Sequence, residues 1–105
     1  MRRYASLRRT AEFSRMRQRG RRLSAGALTV YRAEPLAADR TSVVGITVAK
    51  PVGGAVVRNK VRRRVAAILA QLLEGRRLRV LVVARPTAAA VPFAQLRNEL
   101  ERALV

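Results

Sequence analysis

The sequence predicts an α/β fold with a mixed sheet, in the order helix, two or three strands, helix, strand, helix. Three observations carry this prediction. Residues 42–50 and 78–84 read as strands on either side of a segment, 57–73, whose apolar residues recur at helical spacing. Such a strand–helix–strand unit sets two parallel strands within a sheet. Half of the 105 residues are hydrophobic, too many for a disordered chain. Aromatics make up only 4%, with no Trp, so the core has to be built from Val, Leu, Ile and Ala. The length suits one domain over residues 1–105.

Each element has its own signal. Thr10 reads as the N-cap of a first helix over about 10–19, with Glu12 near the positive end of the helix dipole. Phe13 and Met16 share a face, and Gly20 is the stop. Residues 26–33 (GALTVYRA) alternate in part and read as a strand, and the loop 35–40 (PLAADR) follows. In residues 42–50, Val44, Ile46 and Val48 face one way and Val43, Gly45, Thr47 and Ala49 the other. Pro51 and the pair Gly53-Gly54 break that strand. In the helix 57–73, Val57, Val61, Ile68 and Leu72 form a stripe that Val65, Leu69 and Leu73 widen, with Gly75 as the stop. Residues 78–84 (LRVLVVA) are the near-continuous apolar run of a covered strand. Pro92 suits the first position of a last helix, on which Phe93, Leu96, Leu100, Ala103 and Leu104 share a face. Glu99 and Glu101 are expected on its outer side, making that side the least basic part of the protein.

Charge dominates function. Lys and Arg total 23 against 6 acids, a formal net charge of +17. Self-repulsion at that charge opposes compaction, and a polyanion relieves it. Lys appears only at Lys50 and Lys60. Arg grips phosphate with a two-pronged fork and stacks on bases, which Lys does not do. A skewed genome composition accounts for a high Arg-to-Lys ratio but not for the shortage of acids, so nucleic acid is the expected partner. With no Cys and no His, zinc fingers, thiol nucleophiles and Ser-His-Asp triads are excluded. The stretch MRRYASLRRTAEF has no apolar signal region, and no run reaches the ~18 apolar residues of a membrane span. A cytoplasmic setting is expected.

Arg58, Asn59, Lys60, Arg62, Arg63 and Arg64 crowd one helix. A solvated face is the ordinary reading of such a run, and the overall charge argues against it here. A membrane-surface helix would need its apolar stripe free and aromatic anchors beside it. The remaining reading is a grip on the phosphates of a structured nucleic acid, with Asn59 as a neutral hydrogen-bonding member. Gly53-Gly54 serve first as turn residues; no Gly-Lys-Ser/Thr follows to make a phosphate-binding loop.

The run Lys50-Pro51-x-Gly53-x-Ala55-Val56-x-Arg58-Asn59-x-x-Arg62-Arg63 resembles the signature of the protein subunit of bacterial ribonuclease P. The likeness extends to Leu7 with Glu12-Phe13, to Val30-Tyr31, to Val44-Gly45-Ile46-Thr47-Val48 and to Val82-Val83-Ala84-Arg85. Two places depart from it. Ala66 stands where the family often has a further Arg, with Arg64 as the candidate substitute. Arg17 stands where a second aromatic is often found in the first helix.

The resemblance implies an α/β sandwich in which a mixed four-stranded sheet packs with three helices, in the order α-β-β-β-α-β-α with a left-handed strand–helix–strand crossover. It implies that a catalytic RNA subunit with bound Mg²⁺ removes the 5′ leader of precursor tRNA, and that the protein supplies no catalytic residue and needs no protein partner. The basic helix, Arg58 to Arg64, would bind the RNA subunit. A cleft with Phe13, Arg17, Tyr31, Thr47 and Lys50 would take the leader, Phe13 and Tyr31 as stacking platforms. The chain's own inventory agrees, since Asp39 and five Glu form no recognisable metal-binding motif. A ribosome-associated or general RNA-chaperone module is the alternative. A stand-alone nuclease lacks the acid–base side chains it would need.

Overall fold

A computed structural model describes residues 4–104. Its elements are β1 (Tyr4–Ser6), α1 (Thr10–Arg19), β2 (Arg21–Ala25), β3 (Leu28–Ala33), β4 (Ser42–Val48), α2 (Ala55–Leu72), β5 (Arg79–Ala84) and α3 (Phe93–Leu104). Short 3₁₀ turns, Lys50–Val52 and Pro86–Ala90, follow β4 and β5. The strands form one sheet in the order β1-β4-β5-β3-β2. β1, β4 and β5 run parallel, and β3 and β2 are antiparallel to their neighbours. The predicted class therefore holds, with one strand more than the four expected.

The extra strand is β1. Three residues in an Arg-rich stretch carry no readable alternation. Their strand character comes from pairing Tyr4 with Ser42 and Ser6 with Val44, and the Leu7 N–H donates to the Val44 carbonyl at 2.8 Å. Arg2 and Arg3, part of the basic N-terminal stretch, lie outside the described residues. The segment expected as one strand over 26–33 is the second arm of a hairpin, which turns at Gly26 with φ 61°. The strand expected to reach residue 50 ends at Val48, because Pro51 sits in the 3₁₀ turn.

The sheet has two unlike faces. Val44 and Val48 on β4, Val80, Val82 and Ala84 on β5, and Leu28 and Val30 on β3 point to one side. There they meet Val61, Val65, Ile68 and Leu69 of α2 and Leu96, Leu100 and Leu104 of α3, and this is the main core. Each such side chain contributes ~1.5–3 kcal/mol when fully buried. The other face holds a small cluster, Leu7, Met16, Val43 and Leu81, with Phe13, Tyr31, Ala33 and Val83 packed partly against it. Here α1 crosses the sheet closely, because Gly45 has no side chain. A Cβ on Gly45 would lie 2.8 Å from both Leu7 Cδ1 and Phe13 Cε1.

Polar contacts fasten the ends. Ser42, fully buried, donates from Oγ to the Arg76 carbonyl at 2.9 Å and accepts the Leu78 N–H at 3.1 Å. Arg79 forks onto Asp39, Nε to Oδ2 at 2.7 Å and Nη2 to Oδ1 at 2.9 Å, tying the β3–β4 loop to β5. That hydrogen bond holds the Asp39 carboxyl below its ordinary range, against the opposing effect of burial, and raises the Arg79 guanidinium.

Three local expectations are corrected. Thr10 is the first helical residue rather than the N-cap. Arg9 is the cap, without a side-chain bond, and the Glu12 carboxylate accepts the Arg8 N–H at 3.2 Å from inside the first turn. Val57, placed on the buried stripe, is 39% exposed, since α2 begins at Ala55 and its first turn overhangs the core. Leu72 is only half-buried. Glu99 does not face outward: its carboxylate accepts the Ala27 N–H at 3.2 Å, pinning the β2–β3 turn to α3.

Candidate RNA-binding interface

The start of α2 is set by a glycine that no other residue replaces without strain. Gly53 has φ 154°, and a Cβ there would meet Val57 Cγ1 at 2.8 Å. Its N–H donates to the Lys50 carbonyl at 3.0 Å, closing the turn that hands the chain from β4 to the helix. From Gly54 on, core burial of Val61, Val65, Ile68 and Leu69 fixes which sides of α2 remain in solvent.

At about 100° per residue, Arg58, Asn59, Arg62, Arg63 and Ala66 fall along one flank and Lys60 and Arg64 along the other. Asn59, Lys60, Arg62 and Arg63 are exposed, while Arg58 and Arg64 are half-buried. The helix therefore splits the predicted set into two groups. Ala66 and Arg64 lie on nearly opposite sides of α2, so Arg64 does not stand on the side where the resemblance implied a further Arg. Arg62 Nη1 donates to Asn59 Oδ1 at 3.0 Å, and through this bond Asn59 aims the Arg62 fork. The Arg58 Nε is buried with no hydrogen-bond partner. Among the described residues, no cation of α2 is paired with a carboxylate. Val56 (80% exposed), Asn59, Arg62 and Arg63 line an open depression of about 340 Å³.

The second surface is the end of the sheet face that α1 leaves open. Register places Tyr31 beside Leu81 and sets Thr29 and Thr47 on either side of Val83. Phe13, Tyr31 and Thr47 are half-buried, and Arg17 and Lys50 are exposed. Phe13 packs at Gly45, and Lys50 starts the turn just beyond β4. Arg85, named from the sequence only within the Val82-Val83-Ala84-Arg85 likeness and given no site role, belongs to this surface as well. Its Nε donates to Thr29 Oγ1 at 3.2 Å and its Nη2 to Ser24 Oγ at 3.0 Å. The available signal was parity, since Arg85 is two residues beyond Val83 and so shares its face.

The two surfaces meet. A cavity of about 220 Å³ is lined by Phe13 and Gly45 on one side and by Arg62 and Ala66 on the other, with β1 and Leu7 between them. Ala66 thus opens space between the basic flank and the aromatic of α1. Carboxylates form no candidate metal cluster among the described residues. Asp39 is held by Arg79, and Glu99 by the Ala27 N–H and by Gln95. No helix among the described residues is long and apolar enough to cross a membrane.

Comparison with known proteins places the fold. Residues 1–105 match the family model described as Ribonuclease P. The chain belongs to the ribonuclease P protein family. It is 40% identical over 100 residues to the ribonuclease P protein component of Acidothermus cellulolyticus, covering 93% of this chain and 83% of that one. To the component of Chloroflexus aurantiacus it is 38% identical over 104 residues, covering 95% and 75%. The RNase P protein of Staphylococcus aureus superposes with a TM-score of 0.82 at 26% identity, covering 94% and 91%.

Proposed function

We propose that this protein is the RNA-binding subunit that assists a catalytic RNA in endonucleolytic removal of the 5′ leader from precursor tRNA. The flank carrying Arg58, Asn59, Arg62 and Arg63 binds phosphates of the RNA subunit, and Lys60 and Arg64 reach a second strand or the solvent. The cleft of Phe13, Arg17, Tyr31, Thr47, Lys50 and Arg85 takes the single-stranded leader. Bases stack on the half-buried rings, and the cations track the backbone. Mg²⁺ chemistry resides with the RNA in this reading, and the setting is cytoplasmic. The observation that carries it is the row of α2 cations that have no carboxylate partner among the described residues, with Arg62 held by Asn59 and bordering the cavity that Phe13 also lines.

The test is reconstitution from protein, RNA subunit, precursor tRNA and Mg²⁺, each omitted in turn, with the double variant Arg58→Ala, Arg62→Ala beside the parent. Each phosphate left without its arginine should lower the slope of log affinity against log salt by about 0.7–0.9. The double variant should therefore bind the RNA subunit more weakly and with a flatter salt dependence. If it assembles and supports leader removal like the parent at every salt concentration, α2 is not the binding element. Recovery of bulk ribosomal RNA with the protein from cells, in place of one RNA, would favour the chaperone alternative.

A further inference from the structure

On the flank of α1 away from Arg17 lies a cavity of about 300 Å³ that neither surface above uses. Buried Met16, half-buried Ala33 and Leu36 (45% exposed) supply its apolar wall, and exposed Arg15, Arg19 and Glu34 its polar rim. Glu12 and Arg79 also border it, but both are engaged, with the Arg8 N–H and with Asp39. The volume is at the low end of the ~300–1,000 Å³ range of small-ligand sites, enough for one flat ring system.

The charges narrow the occupant. Arg15 and Arg19 stand one helical turn apart, and neither they nor Glu34 has a side-chain partner among the described residues. A bare polyanion would meet Glu34 as a like charge. A carboxylate in a chain with only 6 acids against 23 cations is suited to a ligand carrying both phosphate and N–H donors. Nucleotides combine these, and guanine presents two adjacent N–H donors on its Watson–Crick edge to match the two oxygens of a carboxylate.

We propose that this cavity holds one unstacked guanine of an RNA strand. The ring lies against Met16, Ala33 and Leu36, the N–H edge meets Glu34, and the flanking phosphates meet Arg15 and Arg19. The site rests on the reading of the chain as an RNA-binding subunit and adds a nucleotide position separate from the leader cleft.

The test is a nuclear magnetic resonance titration of the full chain with guanosine 5′-monophosphate, against uridine 5′-monophosphate and inorganic phosphate. Guanosine monophosphate should shift Met16, Ala33 and Leu36 saturably, and phosphate at equal concentration should not. Glu34→Ala and the double variant Arg15→Ala, Arg19→Ala alter exposed positions and should fold, so each should weaken binding about tenfold, equivalent to ~1.4 kcal/mol. The proposal is overturned if phosphate reproduces the shifts, if uridine monophosphate binds as well, if Glu34→Ala has no effect, or if shifts are absent or confined to Tyr31 and Thr47. None of those results touches RNA-subunit binding by α2, whereas a parent protein that fails to bind the RNA subunit overturns the proposed function instead.

Discussion

Gly45→Ala tests whether the approach of α1 to the sheet shapes the proposed leader cleft. The added methyl would sit 2.8 Å from Leu7 Cδ1, 2.8 Å from Phe13 Cε1 and 3.2 Å from Leu81 Cδ1. Carbon atoms pack best at about 3.5–4.0 Å, so the first two must retreat by roughly 0.7 Å or more. Leu7 yields by turning its tip, but Phe13 is a rigid ring on a helix, and α1 shifts with it. Overpacking costs ~1–3 kcal/mol, and a flexible neighbour puts this case at about 1–2. At ~4–8 °C per kcal/mol for a domain of this size class, the melting temperature should fall by about 5–15 °C. The functional consequence is more selective. Displacing Phe13 changes the cleft but leaves α2 in place, so precursor tRNA should lose affinity relative to mature tRNA while RNA-subunit binding holds. Calorimetry and paired binding titrations measure both effects. An unchanged melting temperature together with unchanged discrimination would refute the claim that Gly45 sets the height of α1.

Three other side chains make their own predictions. Ser42→Ala leaves the Arg76 carbonyl and the Leu78 N–H without their buried partner and should cost about 2 kcal/mol or more in urea unfolding. The Asp39 carboxyl is depressed in the folded state, so its contribution is complete above the unfolded value of ~3.9 and is lost as pH falls through the lower folded value; Asp39→Asn should flatten the stability profile below about pH 4. Tyr31→Ala should weaken precursor tRNA relative to mature tRNA by about 1–3 kcal/mol, and equal loss for both would remove Tyr31 from the leader path.

Much of this architecture was legible because its signals are local. The alternation in Ser42–Val48, the apolar run of β5 and the spacing of Val61, Val65, Ile68 and Leu69 each encode burial within a few residues. What escaped depends on partners distant in sequence. β1 exists because β4 offers it an edge, and Arg85 joins the proposed cleft because Thr29 of β3 and Ser24 of β2 present hydroxyls to it. Glu99 was misplaced for the same reason, its partner being the Ala27 N–H 72 residues earlier. In the candidate site, helical spacing put the cations of α2 off the buried stripe, and they are exposed or half-buried. Spacing did not show that Asn59 holds Arg62.

That division of α2 bears on how the protein carries its charge. Like-charge neighbours at i,i+4, such as Arg58 with Arg62 and Lys60 with Arg64, cost only a few tenths of a kcal/mol each. Val61, Val65, Ile68 and Leu69 are essentially fully buried and contribute several times that apiece. The helix is therefore not the weak point. The larger cost is collective: a formal charge of +17 on a molecule whose radius of gyration is 12.8 Å repels itself across every element, and six acids do little to offset it. Asp39 and Glu99 are committed to holding a loop and a turn. Neutralisation must come from outside, and a structured polyanion that fits the ordered cations of α2 would bind the folded state in preference to the unfolded one. By mass action that partner stabilises the fold as it binds. The fold and the proposed RNA interface are in this sense one equilibrium: the core orders α2 and leaves its cations without carboxylate partners among the described residues, and a polyanion on those cations returns stability to the core.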